Sequence, residues 1–123
     1  MTATIGLFSK TQTGVTFTAG ETIFTVHQPA DHMYIVLDGQ VEIRQNDCVL
    51  AIAGPGEPIG EMALINNAAR SATAIARTDC RLEPVDERRF RFMLEHTPFF
   101  ALQMMRVLVE RLSRSNAVQG VTN

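Results

Sequence analysis

Short runs of alternating apolar and polar residues occupy the first two thirds of the chain. They are separated by turn residues such as Gly20, Pro29, Gly39 and the pair Asn46-Asp47. An alternation of period two is typical of strands that are buried on one face. The pattern predicts strands at residues 15–18, 23–26, 33–37, 41–44, 48–52, 72–77 and 81–85. Many short antiparallel strands at this spacing predict a mainly β fold of the sandwich, jelly-roll or barrel type.

The hydrophobic period changes to that of a helix after residue 85. Phe90, Met93 and Leu94 have helical spacing behind an acidic start at Asp86, which predicts a helix over about residues 86–96. The pair Thr97-Pro98 is typical of an N-cap followed by a proline in the first turn. It predicts a second helix over about residues 98–115.

The apolar stripe of this second helix is wide. Its members are Ala101, Met105, Leu108 and Leu112 on one face, with Met104 and Val107 beside them. A helix that is apolar over more than one narrow face can pack on its own β domain and on a second surface at once. Burial against its own domain alone is the alternative explanation.

Residues 59–73 carry the chemistry of the chain. Residues 62–65 predict one or two helical turns, so the backbone amides of Gly60, Glu61 and Met62 lie at the helix start, where unpaired donors favour an anion. Gly60 has no Cβ and allows a close approach to a ligand. Arg70 follows one loop later with a planar fork of donors that suits phosphate oxygens, and Ser71 beside it adds a hydroxyl or an amide.

Glu61 carries the opposite charge and is a pure hydrogen-bond acceptor when ionised. The natural donor for it on a nucleotide is the ribose 2′-hydroxyl. Together Glu61 and Arg70 therefore predict a site that reads a ribose and a phosphate at the same time. The alternative is that the two side chains form a surface ion pair, which stabilises a protein by less than about 1 kcal/mol.

Composition and charge narrow the class of protein. The chain has 123 residues, of which 46% are hydrophobic, and this predicts one folded domain over residues 1–123, with its β part at about 15–85. No apolar run approaches the roughly 20 residues that span a bilayer. The net charge of -2 gives no basic footprint for nucleic acid. Cys48 and Cys80 show no framework spacing, which favours free thiols in the cytoplasm.

Enzymatic chemistry finds little support in the sequence. His27, His32 and His96 are scattered over turns and a helix, which is a poor pattern for a metal site. Neither cysteine has a histidine nearby in sequence, and no nucleophile elbow is present. We therefore expect no enzyme activity, no metal and no cofactor.

The order Gly60-Glu61-Met-Ala-Leu, a short loop and Arg70-Ser71-Ala72-Thr73 resembles the phosphate-binding cassette of the cyclic nucleotide-binding domain family. The segment at residues 27–39 is similar to an early strand-turn-strand of the same family, so the resemblance covers roughly residues 15–115. Two positions depart from it. His27 stands where the family usually has glycine, and Pro58 stands where a bulky apolar residue is common.

This resemblance implies a β-roll with a short cassette helix and two C-terminal helices. It implies that Glu61 binds the 2′-hydroxyl and Arg70 the cyclic phosphate, with Gly60, Ser71 and Ala72 donating to that phosphate. The resemblance further implies that Arg111, Ser115 and Asn116 lie near the purine base. It implies that Ile43 and Leu50 form apolar walls of the base pocket, although a place in the ordinary barrel core explains these two equally well. The resemblance also implies a preference for cyclic AMP over cyclic GMP, because serine occurs at the position of Ser71 in bacterial cyclic AMP binders of the family.

Two functions from different classes follow. The first is a sensor that binds a 3′,5′-cyclic purine nucleotide, moves its C-terminal helices and forms a homodimer through the last of them. The second is a ligand-free domain of the same fold that serves as a dimerisation or interaction scaffold. After Leu112 only 11 residues remain, too few for a helix-turn-helix, so we expect no direct DNA binding and an unidentified output protein or domain.

Overall fold

The fold consists of two antiparallel four-stranded sheets followed by helices, as a computed structural model describes it for residues 14–118, with side chains for residues 14–113. The strands are β1 Val15–Phe17, β2 Thr22–Phe24, β3 His32–Asp38, β4 Val41–Gln45, β5 Cys48–Ala53, β6 Pro58–Ile59, β7 Thr73–Ala76 and β8 Cys80–Asp86. The helices are α1 Glu61–Ile65, α2 Glu87–His96 and α3 Pro98–Val118. This arrangement confirms the predicted fold class.

One sheet has the strand order β1-β8-β3-β6, and the other has the order β2-β7-β4-β5. The two-residue strand β6 was not predicted, because it is short and contains a proline. Its partner is β3, where Tyr34 lies opposite Ile59 and Ile35 lies opposite Pro58. A strand at the edge of a sheet tolerates proline, since the missing N–H need not pair with a neighbour.

Strand β3 separates two hydrophobic cores because its side chains alternate between the faces of its sheet. Met33 and Ile35 pack under the C-terminal helices, against Phe90 and Phe100. Val36 points the other way, into the core between the two sheets. Both cores therefore depend on one strand, which fixes the helices relative to the barrel.

Helices α2 and α3 pack on the barrel through their aromatic residues. Asp86 caps α2 by accepting a hydrogen bond from the amide of Arg89 at 2.8 Å. The rings of Phe90 in α2 and Phe100 in α3 meet edge to face with centroids 6.0 Å apart. Phe100 is 1% exposed, so it ties α3 to the domain from its first turn. None of the described helices is both long and apolar enough to cross a lipid bilayer.

The turn between β2 and β3 holds the segment that follows α1. The amide of His27 donates to the carbonyl of Arg70 at 2.8 Å, and the amide of Arg70 donates to the carbonyl of Gln28 at 2.9 Å. His27 adopts φ 74°, the left-handed region that favours glycine. The turn thus keeps a glycine-like geometry although a histidine occupies the position.

Replacing His27 by glycine should therefore leave the turn intact and relieve strain. We expect His27→Gly to raise the free energy of unfolding by about 0.5 kcal/mol, because the relieved strain slightly exceeds the added entropy of the unfolded chain. His27→Val should lower it by about 1–2 kcal/mol, since β-branched residues fit positive φ poorly. Urea denaturation measures both, and a glycine variant less stable than the histidine protein would contradict this explanation of the turn.

Candidate functional site

A cavity of about 430 Å³ lies between strands β4 and β5, helix α1, the segment after α1 and helix α3. The predicted binding residues meet in its wall: Ile43, Leu50, Gly60, Glu61, Met62, Arg70, Ser71, Ala72 and Arg111. The side chain of Ser115 lies outside the described residues. The structure thus brings together positions that are up to 68 residues apart in sequence, from Ile43 to Arg111, and the role of each in binding stays a prediction.

Gly60 lies in the wall of this cavity. It is the N-cap of α1 and has φ 75°. A Cβ built at this position would lie 2.5 Å from Nη1 of Arg70 and 3.2 Å from Cε2 of Phe24. Glycine is therefore required twice here, for the backbone conformation and for the close approach of the arginine.

Arg70 is a buried cation at the wall of the cavity. The residue is 4% exposed, and its Nη1 donates to the carbonyl oxygen of Gly60 at 3.2 Å. Within the described part of the chain, no carboxylate lies within 4.0 Å of its guanidinium. Burial lowers the pKa of Arg70, although the group stays protonated. An arginine that is buried without a counter-ion is suited to binding an anion from outside the protein.

Glu61 is a buried carboxylate at the start of α1, and Arg111 of helix α3 reaches it. Glu61 is 3% exposed, and Nη1 of Arg111 donates to its Oε1 at 2.5 Å. Nη2 of Arg111 lies 3.8 Å from Oε2 of Glu57 and donates to the carbonyl oxygen of Pro58. One arginine of the last helix thus contacts three acceptors in the segment that leads into α1.

The far wall of the cavity is apolar. The pairing of β4 with β5 shifts between Ile43 and Arg44, which lie opposite Ala51 and Val49, so Leu50 is the extra residue of a β-bulge. Bulges often redirect a side chain beside a binding site. Leu50 and Ile43 line the cavity from the sheet, and Leu108 and Leu112 line it from α3. This wall suits the flat face of a base more than a charged group.

Phe24 and Glu57, which lie beside the two arginines of the site, were not predicted from the sequence. The ring of Phe24 lies under the guanidinium of Arg70, with Cζ 4.1 Å from the ring centroid. Glu57 is 8% exposed and accepts a hydrogen bond from the amide of Gly54 at 3.2 Å, beside Arg111. Neither residue belongs to the stretch 59–73, from which the site was predicted. The pairing of β2 with β7 brings Phe24 opposite Ala74, near the segment that contains Arg70.

Comparison with known proteins identifies the family and supports the fold. Residues 14–97 match the family model described as cyclic nucleotide-binding domain. Over 119 residues the chain is 31% identical to a CRP-like cAMP-activated global transcriptional regulator of Mycobacterium tuberculosis, covering 91% of this chain and 52% of that protein. Over 76 residues it is 40% identical to a cAMP-dependent protein kinase regulatory subunit of Yarrowia lipolytica, covering 62% of this chain and 20% of the subunit.

A solved structure of a similar bacterial regulator has the same fold. The catabolite activator protein of Thermus thermophilus superposes with a TM-score of 0.74 at 27% identity, covering 85% of this chain and 52% of that one. The chain therefore spans about half the length of the bacterial regulators that it matches, and a smaller share of the kinase subunit.

Proposed function

Because the chain belongs to the cyclic nucleotide-binding domain family, we propose that it is a cytoplasmic, non-enzymatic regulatory module that binds a 3′,5′-cyclic purine nucleotide. In this proposal cyclic AMP is favoured over cyclic GMP, and the signal passes through the C-terminal helices. The observation that carries it is Arg70, which is buried in the cavity wall with no carboxylate partner among the described residues, while the carboxylate of Glu61 lies in the same wall.

The phosphate end of the nucleotide would lie at Arg70. Its guanidinium supplies charge and a planar fork of donors, and a singly charged cyclic phosphate supplies the missing counter-ion. Ser71 is exposed at the cavity and adds a hydroxyl or an amide, and the backbone of Gly60 and Ala72 lies in the same wall. Binding would then relieve the cost of burying the cation, which is a contribution that only an anionic ligand provides.

The ribose and the base would occupy the remainder of the cavity. Glu61 accepts a hydrogen bond from the ribose 2′-hydroxyl, and the apolar wall of Ile43, Leu50 and Leu108 packs on the purine. Packing of this kind discriminates weakly between purines. The preference for cyclic AMP rests on Ser71 and on the name of the mycobacterial relative, a cAMP-activated regulator.

The assignment of Glu61 to the ribose is testable with a matched pair of ligands. Wild-type protein should bind cyclic AMP about tenfold more tightly than 2′-deoxy cyclic AMP, because a lost hydrogen bond to a buried carboxylate is worth roughly 1.5 kcal/mol. In Glu61→Ala the two ligands should bind equally, since the acceptor is gone. Isothermal titration of the four combinations measures this coupling. If the loss of the 2′-hydroxyl weakens binding as much in Glu61→Ala as in the wild type, Glu61 does not bind the ribose.

Helix α3 is the element that would sense the ligand. Arg111 links this helix to Glu61, the same carboxylate that the ribose would use, and Leu108 and Leu112 line the cavity. A nucleotide that shares or displaces the contact of Arg111 with Glu61 changes how strongly α3 is bound to the barrel. Such a ligand shifts the population of helix positions only by its difference in affinity for them.

The outer face of α3 supports the proposal of a homodimer. Four apolar side chains lie exposed in a stripe with the 3-4-3 spacing of a coiled-coil seam: Leu102 at 40%, Met105 at 57%, Val109 at 64% and Leu112 at 64% exposure. The buried face of the same helix, with Phe100, Met104 and Val107, already packs on the barrel. We infer that the exposed stripe pairs with the same stripe of a second copy.

A single charge in the stripe should therefore abolish the dimer. Val109→Glu places a carboxylate at the middle of the seam, and we expect a dimer of the unaltered chain to become a monomer in light scattering behind size exclusion. Val49→Glu is the matched control, because Val49 is also exposed, at 39%, but lies on strand β5. A monomeric wild-type chain, or a Val109→Glu variant that remains dimeric, would contradict pairing through α3.

A ligand-free scaffold remains the second candidate, and one contact favours it. Arg111 and Glu61 already satisfy each other, as a pair with no ligand would. Against it stands the buried charge of Arg70, which pairs with no described carboxylate and which a ligand-free scaffold would not need. In either case the protein on which the module acts is an unidentified output protein or domain, and direct DNA binding is not part of the proposal.

A further inference from the structure

A buried arginine without a carboxylate needs another means of support. Arg70 is 4% exposed, and the one hydrogen bond that its side chain makes to a described residue goes to the carbonyl of Gly60. Moving a cation out of water is unfavourable unless polar or polarisable groups replace the water. The side chain that fills this role is an aromatic ring on a strand distant in sequence.

The ring of Phe24 forms a platform for the guanidinium. Cζ of Arg70 lies 4.1 Å from the centroid of the ring, well inside the range of about 6 Å for a cation–π interaction. Phe24 is 7% exposed, so the contact is desolvated, which strengthens it. The ring also lies close to Gly60, where a Cβ would approach Cε2 of Phe24 to 3.2 Å. The guanidinium is therefore held between the ring and the backbone of residue 60.

The ring of Phe24 is itself held in place by Tyr34 and His32. The ring of Tyr34 is parallel to that of Phe24, with 10° between the planes and 6.4 Å between the centroids. The hydroxyl of Tyr34 shares a hydrogen bond with Nε2 of His32 at 2.9 Å, and Nδ1 of His32 contacts Asp31 at 2.7 Å. A ring that is packed and anchored in this way resists rotation, so the position of Arg70 is set before a ligand arrives.

We propose that Phe24 is a positioning residue for Arg70, a cation–π platform that keeps the guanidinium away from carboxylates and directed at the ligand phosphate. This inference rests on the proposed function. Asp31 and Glu61 are carboxylates whose charges act on Arg70. Without the platform, the arginine gains freedom to turn towards them, and the phosphate loses part of its partner.

A double-mutant cycle isolates this role from simple packing. The affinity for cyclic AMP is measured by isothermal titration in the wild type, Phe24→Leu, Arg70→Gln and the double variant. We expect Phe24→Leu to weaken binding about five- to tenfold when Arg70 is present and by less than about twofold in the Arg70→Gln background. Phe17→Leu is the control, because Phe17 touches the edge of Tyr34 in the same aromatic cluster, with centroids 6.3 Å apart. It should change the affinity by less than about twofold.

A second series keeps the shape of the ring and changes only its electrons. Mono-, di- and trifluorinated phenylalanine at position 24 progressively weaken the negative face of the ring, so the logarithm of Kd should rise steadily with fluorination. In Arg70→Gln the same series should be flat. A loss from Phe24→Leu that is equal in both backgrounds, or a flat fluorination series in the wild type, would overturn the role of Phe24 while leaving nucleotide binding intact. Failure of the wild type to bind any cyclic nucleotide would overturn both.

Discussion

Replacement of Arg70 by alanine is expected to weaken binding of cyclic AMP about 30-fold or more. The phosphate would lose its charged partner, and a contact of this kind in a buried site contributes roughly 2 kcal/mol or more. The stability of the protein without ligand should change much less than its affinity. Because Arg70 is buried and no carboxylate of residues 14–113 pairs with it, its removal also removes a desolvation cost, so the free energy of unfolding without ligand should change by less than about 1 kcal/mol.

Titration calorimetry and urea denaturation of the same variant separate these two effects. Arg77→Ala is the matched control, because Arg77 is an exposed arginine just after strand β7 and outside the cavity wall. Its affinity should stay within about twofold of the wild type. If Arg70→Ala binds cyclic AMP as tightly as the wild type, the phosphate does not bind at Arg70.

The second large effect is expected from one added methyl group at Gly60. In Gly60→Ala the new Cβ would meet Nη1 of Arg70 at 2.5 Å, so the guanidinium must leave its place above Phe24. We expect at least a tenfold loss of affinity for cyclic AMP, about 1.4 kcal/mol, because the phosphate group no longer finds a preset arginine. The φ of 75° adds backbone strain of roughly 1–2 kcal/mol to the folded state.

Gly20→Ala distinguishes the displaced arginine from the strained backbone. Gly20 also has a positive φ, 89°, but a Cβ there meets nothing within 4 Å. Both variants should therefore lose stability in urea through the strained backbone, while only Gly60→Ala loses affinity. Equal affinities in the two variants would show that residue 60 does not control the position of Arg70.

The local parts of the site were predictable from the sequence because they follow one another in the chain. Gly60, Glu61, Arg70 and Ser71 belong to one short stretch, and the structure brings all four to one cavity. The family resemblance and the mainly β fold that it implied are confirmed by the family match and by the two sheets. Alternation gave the longer strands within a residue or two of their ends.

The long-range parts were not predictable in the same way. Phe24 lies 46 residues before Arg70, and only the pairing of β2 with β7 brings the two together. The resemblance implied a contact of Arg111 with the purine, whereas in the structure this arginine contacts Glu61 across 50 residues of sequence. A periodic pattern tells which face of an element is buried but not which element covers it, so both contacts needed the folded chain.

The central claim is that this chain recognises a cyclic phosphate on a purine ribose. Isothermal titration of the purified chain with cyclic AMP, cyclic GMP and 5′-AMP tests it most directly, because the acyclic nucleotide has the same base and sugar and differs at the phosphate. We predict micromolar or tighter binding of a cyclic form, with cyclic AMP the tighter of the two, and no measurable binding of 5′-AMP. Absence of binding by both cyclic nucleotides, or equal binding of 5′-AMP, would contradict the claim.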